Sequence, residues 1–451
     1  MANKMLNIFK SAVVAALLCV AQQALAILPI EQWQTSSGAK VYFVANRDLP
    51  MLDVSVDFPA GSGYDTRQKA GVAAMTNGLL RLGADGLGED DIARRFADIG
   101  AALGGRFDSD RAGLSLRTLS DPRQRVPALD LLARILRAPE FPAAVLNREK
   151  ARQIEALKED DLRPGSQAGR MFYQLVFREH PYALRAVGEV DTVGGMTRDD
   201  LRGFYQQHYV AERAVIAIMG DVSRAEAEAI AEQLTRGLPR ASGAAPVLPP
   251  VAPLESAITR VVAHPAAQSH ILIGAPGIRR GDPDYFPLFV GNHILGGGGF
   301  VSRINEEVRQ KRGLAYSAYS YFSLQQVPGP FVIGMQTRRD QADEALTVVR
   351  KTLRDFVSNG PTEQELVAAR QNIVGGFPMR IDSNRKIHEY LAVIGFYGLP
   401  VSYLEDFVAN VERVTVADIK AAFARHVDPE KLVTVVVGAD KDQTVTAPVA
   451  R

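Results

Sequence analysis

The residues most able to do chemistry lie in one short stretch, ILGGGGFVSRINEEVRQKRGLAYSAYSYF, which runs from Ile294 to Phe322. Within it, Arg309 and Tyr316 are seven positions apart. A guanidinium and a phenol that lie side by side can donate hydrogen bonds to a carbonyl or to a developing oxyanion. The alternative is that Arg309 is a solvated helix charge and Tyr316 a core residue, since most residues of these types only solvate or pack.

The elements around this pair are expected to bring the two side chains together. The run Gly296–Gly299 allows a sharp turn or the close approach of another backbone. An apolar stripe with helical spacing then predicts a short amphipathic helix that ends at Gly313. The stripe consists of Val301, Ile304 and Val308, and a pair between Glu307 and Lys311 supports the same helix. In the strand that follows, alternation predicts that Tyr316 and Ser320 share a face.

This stretch resembles the C-terminal-domain signature of the pitrilysin/insulinase family of zinc peptidases, inverzincins in which a glycine run precedes a helix and then KRGLAYS. The resemblance implies that Arg309 and Tyr316 bind peptide substrate in a catalytic centre whose metal lies in the other half. It extends the substrate-binding set to the glycine run, Gly296, Gly297, Gly298 and Gly299.

The composition excludes several classes of partner. The chain has 451 residues, with 52 basic and 51 acidic side chains, and such a balance argues against nucleic acid or an anionic membrane. Apolar residues make up 47% of the chain, which is enough for more than one sizeable core.

The first 26 residues have the three parts of a signal peptide. They are the basic residues Lys4 and Lys10, the apolar run Ser11 to Val20, and the cleavage site Ala24-Leu25-Ala26. We therefore expect an exported protein, periplasmic if the source is a Gram-negative bacterium. The apolar run is too short to span a bilayer of about 30 Å, so no membrane anchor is expected. Cys19, the only cysteine, lies inside this segment, so no disulfide is expected.

The chain contains two copies of one domain. MTRDDLRGFYQQHYVAERAVIAIMGDV, from Met196, aligns without a gap on VTVADIKAAFARHVDPEKLVTVVVGAD, from Val414, at an offset of 218 residues. Identical residues include Thr197, Asp200, His208, Glu212 and Gly220, which match Thr415, Asp418, His426, Glu430 and Gly438. An offset of 217 aligns the strand at Asp53 with the strand at His270. The match predicts helices at 198–208 and 416–426, each followed by a strand.

The predicted fold class is α+β, with two homologous domains that are each a mostly antiparallel sheet packed with helices. The domains are expected at 27–237 and 255–445, separated by a semi-extended linker at 238–254 that is rich in Pro, Ala and Gly. The family resemblance implies that they form half of a clam-like chamber. We interpret His208 and His426 as structural residues, because a fold-determined position recurs in both halves. His180, in an HPY stretch that resembles the family, is also interpreted as structural.

The first half lacks the chemistry that the resemblance leads one to expect. The family carries H-x-x-E-H on a helix, in which two imidazoles hold zinc and the Glu activates water. The matching stretch, KAGVAAMTNGLLRLGA from Lys69, has Ala74, Asn77 and Gly78 at these positions, and none of them can replace the lost groups. Glu155 falls at the spacing of the third ligand and would be its lone remnant, but one carboxylate cannot retain zinc. We therefore interpret Glu155 as an ordinary helix-surface charge. We therefore predict that this chain binds no metal.

The combination predicts a non-catalytic, substrate-binding subunit of an exported heterodimeric zinc metallopeptidase. The chain would be inactive alone, and a partner of the same family with H-x-x-E-H would hold the zinc while Arg309 and Tyr316 contact the peptide. One alternative is a metal-free structural scaffold, like the family's core subunits in respiratory complexes, or a peptide-binding protein of the same fold. Another, a self-sufficient peptidase, would need an unrecognised catalytic constellation.

Overall fold

The strands form two six-stranded sheets and one small hairpin in the computed structural model, which describes residues 29–439, 441 and 443–446. The strands of the N-terminal half are β1 (Glu31–Gln34), β2 (Lys40–Ala45), β3 (Met51–Phe58), β4 (Gly83–Ala84), β5 (Leu87–Gly88), β6 (Ala102–Phe107), β7 (Ala112–Leu119) and β8 (Val215–Gly220). Those of the C-terminal half are β9 (Ile258–Ala263), β10 (Gln268–Pro276), β11 (Ala315–Phe322), β12 (Pro330–Arg338), β13 (Val433–Ala439) and β14 (Gln443–Thr446). The predicted signal peptide lies outside the described residues.

The helices also fall into two sets. The N-terminal half contains α1 (Val72–Leu79), α2 (Glu89–Asp98), α3 (Pro122–Arg137), α4 (Ala143–Asp160), α5 (Pro164–Phe177), α6 (Val190–Gly195), α7 (Arg198–His208) and α8 (Arg224–Thr235). The C-terminal half contains α9 (Tyr285–Asn292), α10 (Arg303–Asn305), α11 (Ala342–Asn359), α12 (Glu363–Gly376), α13 (Asn384–Tyr397), α14 (Tyr403–Arg413) and α15 (Val416–His426). No helix in the described part of the chain combines the length and apolar character needed to cross a bilayer.

The two sheets have the same layout, which confirms the predicted fold class. Their strand orders are β6-β7-β3-β8-β2-β1 and β11-β12-β10-β13-β9-β14. In each sheet one pair is parallel, β2 with β8 and β9 with β13, and the other four pairs are antiparallel. The outermost strands β1 and β14 occupy equivalent places in the two sheets, although β1 is the first described strand of the chain and β14 is the last. The two sheets therefore match in three dimensions, but these two strands do not match in sequence order.

Local backbone chemistry explains which repeat residues are shared. Thr197 and Asp200 form a capping box at the start of α7, and Thr415 and Asp418 form the same box at α15, which satisfies orphan N–H groups at each helix start. Gly220 has φ +139 and a Cβ there would lie 2.1 Å from the carbonyl oxygen of Met51. The equivalent Gly438 has φ +120 and faces the Gln268 carbonyl oxygen, so both positions require glycine.

Each sheet is covered on one face by a helix from the other half, which the sequence did not indicate. Helix α5 places Phe172 and Val176 in a buried cluster with Val433 and Val435 of β13. Helix α13 of the C-terminal half packs in turn on the N-terminal sheet. The contact is close, because a Cβ on Gly395 would lie 2.6 Å from the ring of Tyr42. The two sheets therefore share hydrophobic cores across the halves.

The segment predicted as a linker is irregular but anchored. No helix or strand lies between Thr235 and Ile258. Leu248 and Leu254 are buried in the same cluster as α5, so the segment is a strap on the surface and not a free spacer. His180 accepts the N–H of Tyr182 at 3.0 Å, and its Nε2 lies 3.0 Å from the Pro249 carbonyl oxygen in this strap.

Helix α13 also buries a histidine between the halves. His388 is 4% exposed, and its Nε2 lies 3.2 Å from the carbonyl oxygen of Ala217 on β8. Burial is the main reason that its pKa is lowered to about 4. The folded protein therefore holds His388 neutral at pH values where the unfolded chain protonates it.

We predict that packing of the two halves weakens in acid because of this residue. As the pH falls from 7 to 5, His388 becomes protonated in the unfolded state but stays neutral in the folded state. This difference lowers the free energy of unfolding by about 2 kcal/mol. His388→Gln should therefore show a smaller fall in Tm between these pH values than the parent, whatever its stability at pH 7. His264→Gln, at a partly exposed histidine, should show the parental fall. Equal falls in all three proteins would contradict the prediction.

Candidate functional site

The structure brings Arg309 and Tyr316 together. The guanidinium carbon of Arg309 lies 4.6 Å from the ring centroid of Tyr316 and 4.5 Å from that of Phe300, so the cation is stacked between two aromatic rings. Tyr316 is 82% exposed and Phe300 is 63% exposed. Sequence reasoning missed Phe300, although a large apolar residue directly after a glycine run was a usable signal.

The Arg309 charge has no neutralising partner among the residues that the structure describes. No carboxylate in the described part of the chain pairs with it, whereas neighbouring cations are paired. Lys311 and Arg312 lie 2.7 Å and 2.6 Å from the carboxylate of Glu307, and the hydrogen bond from Lys311 lowers the pKa of Glu307. A stacked guanidinium keeps its N–H donors in the plane between the rings, where they can meet an incoming acceptor.

A β-bulge aims Tyr316 at this position. Ala315 pairs with Thr337 and Ser317 pairs with Gln336, so Tyr316 is the extra residue in β11. The predicted shared face of Tyr316 and Ser320 is wrong for this reason, because Ser320 is buried. A bulge interrupts the regular alternation of side chains along a strand. No residue pattern within β11 predicts the position of this bulge.

The helix that carries Arg309 is shorter than predicted and changes its winding. It begins at Arg303, and the residues Glu306–Gln310 form one π-helical turn. Ile304 and Val308 are fully buried, as their spacing indicated, but Val301 is 79% exposed because it precedes the helix. Gly313 closes the segment with φ +63, the left-handed conformation that favours glycine.

The glycine run packs against the edge of the C-terminal sheet. A Cβ on Gly296 would lie 2.4 Å from the Ser320 hydroxyl oxygen and 2.6 Å from its backbone nitrogen. Gly296 is buried, whereas Gly297 and Gly299 are exposed, and Gly299 has φ +65. A Cβ on Gly298 would lie 2.6 Å from the His293 carbonyl oxygen. The run therefore brings the loop close to β11, and its exposed members lie beside Phe300.

Two asparagines complete this contact. Asn292 donates to the carbonyl oxygen of Ser320 at 3.0 Å, and Asn305 donates to that of Ala318 at 2.6 Å. These carbonyls belong to the edge strand β11, where unpaired backbone groups would otherwise attract another strand. These two contacts therefore satisfy the carbonyls of Ala318 and Ser320 on the edge of the C-terminal sheet.

The positions of the lost metal motif lie together on α1. Asn77 is buried, donates to the Arg106 carbonyl oxygen at 2.9 Å and accepts from the Tyr209 hydroxyl at 3.1 Å. Ala74 and Gly78 line a groove of about 400 Å³, and a Cβ on Gly78 would meet no atom within 4 Å. Helix α1 is therefore present, and the Asn77 amide has a structural role at the position where the family carries its catalytic Glu.

Glu155 does not line this groove. Its side chain is 73% exposed and pairs with Lys158 at 2.8 Å, as expected of an ordinary helix-surface charge. The carboxylate of α4 that lines the groove with Ala74 and Gly78 is Glu149. Counting residues from Gly78 across the intervening strands and helices therefore reaches a residue of α4 that does not line the groove.

His208 and His426, which occupy equivalent positions in the two halves, have structural partners. His208 stacks on Phe204 with ring centroids 4.2 Å apart, and its Nδ1 lies 2.9 Å from the Pro59 carbonyl oxygen. His426 lies 2.8 Å from Asp284, whose carboxylate also binds Arg425 at 2.6 Å. The hydrogen bond from Arg425 is the main reason that the pKa of Asp284 is lowered. This group of possible ligands, which includes Asp282, is therefore occupied by an ion pair.

The fold and the erased motif define a homologue of zinc peptidases that lacks their metal ligands. Residues 195–373 match the family model for the peptidase M16 inactive domain. The crystal structure of a peptidase M16 inactive domain from Pseudomonas fluorescens is 38% identical and superposes with a TM-score of 0.88, covering 91% of this chain and 98% of that one. The chain therefore belongs to the M16 (pitrilysin) peptidase family as an inactive member.

Two further relatives are similar to this chain along most of its length. A "non-peptidase homolog YmxG" from Helicobacter pylori is 24% identical over 406 residues, which covers 89% of this chain and 92% of that protein. The "mitochondrial-processing peptidase subunit beta" of Blastocladiella emersonii is 23% identical over 411 residues, which covers 89% of this chain and 87% of that protein. The family prediction is thus confirmed along most of the chain.

We predict that the groove on α1 can be turned back into a metal site. Ala74→His with Gly78→His puts two imidazoles one turn apart beside Glu149, which gives the three ligands that a zinc site needs. After dialysis, elemental analysis should find no stoichiometric zinc in the parent and about one zinc per chain in the double variant. Adding Glu149→Gln should weaken zinc binding.

A matched histidine pair provides the control. Asn147→His with Ala151→His puts two imidazoles at the same spacing on the exposed side of α4, and it should bind zinc less tightly than the groove variant. A folded groove variant that binds zinc no better than this control would show that α1 and Glu149 do not occupy the positions of the family's metal site.

Proposed function

We propose that this chain is the non-catalytic, substrate-binding subunit of an exported heterodimeric zinc metallopeptidase. A partner chain of the same family, carrying H-x-x-E-H, holds the zinc and the catalytic Glu. This chain contributes Arg309 and Tyr316 to the peptide substrate across the chamber between the subunits. The observation that supports the proposal most is the Arg309 guanidinium, which is stacked between exposed rings and has no carboxylate partner among the described residues. The chain that carries it has Ala74, Asn77 and Gly78 at the positions of H-x-x-E-H.

The geometry suits binding of a peptide carbonyl or oxyanion. Arg309 supplies a permanent positive charge and planar donors, and the Tyr316 hydroxyl supplies another donor. The buried side chains of Ile304 and Val308 fix the helix that carries Arg309, so the donors are held in place before the substrate arrives. Preorganised donors of this kind stabilise charge that develops on a carbonyl oxygen during peptide cleavage.

Export and pairing complete the proposal. The signal-like segment at 1–26 directs the protein out of the cytoplasm, into the periplasm if the source is Gram-negative. Pairing is supported by a relative whose name describes it as a subunit of a peptidase. The substrates are peptides, and zinc belongs to the partner and not to this chain.

The proposal predicts that the chain is inert alone and raises the peptidase activity of an H-x-x-E-H partner from the same organism. Arg309→Ala or Tyr316→Phe should lower the kcat/KM of the complex about a hundredfold, since one lost donor in a preorganised site costs about 3 kcal/mol. Tyr316→Phe keeps the ring stack and removes only the hydroxyl, so it separates donation from stacking. The zinc content of the complex should not change.

The matched control is Arg312→Ala, because Arg312 lies close in sequence but is already paired with Glu307. It should leave activity near the parental value. Size-exclusion chromatography should show intact complexes for all variants, since none of these residues is proposed to join the subunits. Full activity of an Arg309→Ala, Tyr316→Phe double variant in an intact complex would make this chain a metal-free scaffold.

A further inference from the structure

A second cavity lies between the two halves of the chain, away from the Arg309 stack. It encloses about 420 Å³. The N-terminal half contributes the start of β2 and the residues before β8, and the C-terminal half contributes the segment after β10 and the end of α13. A ligand in this cavity would therefore touch both halves at once.

The cavity has an excess of positive charge. Its ionisable lining comprises four cations, Lys40, Arg213, Arg279 and Arg280, and one carboxylate, Glu212. Glu212 is already engaged, because it lies 3.2 Å from Arg240 and accepts the Ala241 N–H at 3.1 Å. Two cations come from each half, so like charges face each other across the cavity and repel unless an anion lies between them.

The arginines nearest the wall are held in place without being neutralised. Arg213 donates to the carbonyl oxygens of Gly243 and Ala244 at 2.8 and 3.0 Å. Arg280 lies over the Tyr397 ring, 4.7 Å from its centroid, and donates to the Leu324 carbonyl oxygen at 3.3 Å. Its Nε is inaccessible to solvent and has no hydrogen-bond partner among the described residues. Carbonyls orient a guanidinium but leave its charge available to an anion.

The other two cations can close on a ligand. Lys40 and Arg279 are exposed, and neither has an ion-pair partner in the described part of the chain. The floor between them is apolar, with Val215 and Phe396 among its lining residues, and such walls strengthen the field of nearby charges. We propose that this cavity binds the oxyanion group of a small ligand, a carboxylate or a phosphate, and that the bound anion joins the two halves.

The experiment uses the full chain at a fixed ionic strength, so that general screening stays constant. The probes are sodium phosphate balanced against sodium chloride, an acetylated Ala-Phe dipeptide with a free C-terminal carboxylate, and the amide of that dipeptide. Phosphate, the free acid or both should raise Tm in a saturable way and give a binding isotherm by calorimetry. The amide should do neither. Whichever probe binds identifies the source of the oxyanion.

Lys40→Gln with Arg279→Gln should weaken probe binding at least about tenfold, because two charge-assisted contacts are lost. In chloride at low ionic strength the same variant should have a higher Tm than the parent, since repulsion across the cavity is relieved. The control, Arg94→Gln with Lys158→Gln, removes two exposed charges elsewhere and should behave like the parent with the probes.

Three results would overturn the proposal. They are no saturable response to phosphate or to the free acid, equal binding by the cavity variant and the parent, and binding of the amide as tight as that of the acid. The last result would mean that the apolar walls and not the cations hold the ligand. None of these variants changes Arg309 or Tyr316, so the outcome does not depend on the peptidase proposal.

Discussion

The placement of the two halves depends on one buried carboxylate. Asp110 is 1% exposed and lies in the turn between β6 and β7. It accepts hydrogen bonds from the hydroxyls of Tyr182 and Tyr397, the latter at 2.7 Å, and from the Gln326 N–H at 2.8 Å. Gln326 lies in the turn between β11 and β12, so the tips of two equivalent hairpins meet at Asp110. Burial raises the pKa of this carboxyl, and its three donors compensate for that burial.

The candidate site is an extension of this junction. Strand β11 is the edge strand of its sheet. Its C-terminal end leads to the junction at Gln326, and its N-terminal end carries the bulge at Tyr316. Helix α13 ends at Tyr397, one of the three donors to Asp110, so the helix that covers the N-terminal sheet is fixed by the same contact. The distance between the Arg309 stack and the N-terminal half is therefore set by rigid elements joined at Asp110, as a preorganised binding site requires.

The sequence predicted the parts of the fold that local chemistry determines. Helices α7 and α15 have the predicted bounds. Each begins where predicted because its capping box is formed by residues within four consecutive positions of the sequence. Tyr316 and Ser320 were assigned to one face because a bulge depends on the partner strand. Glu155 was misplaced because counting residues does not say which side of α4 faces α1. Helices α5 and α13 each pack on the sheet of the other half, and this arrangement is decided by tertiary packing. The sequence of each helix shows only an apolar stripe, which would fit either sheet.

The amide of Asn77 suits a buried position in a helix that lacks the family's metal ligands. In a zinc-bearing relative a carboxylate at this position is balanced by the nearby metal ion. Without a metal, a buried carboxylate would pay desolvation with no cation to offset it. The amide of Asn77 is neutral and can donate as well as accept, so it satisfies the Arg106 carbonyl and the Tyr209 hydroxyl together. A carboxylate could only accept. The amide therefore satisfies these buried groups without a metal ion, and the Arg309 stack of the second half needs no metal either.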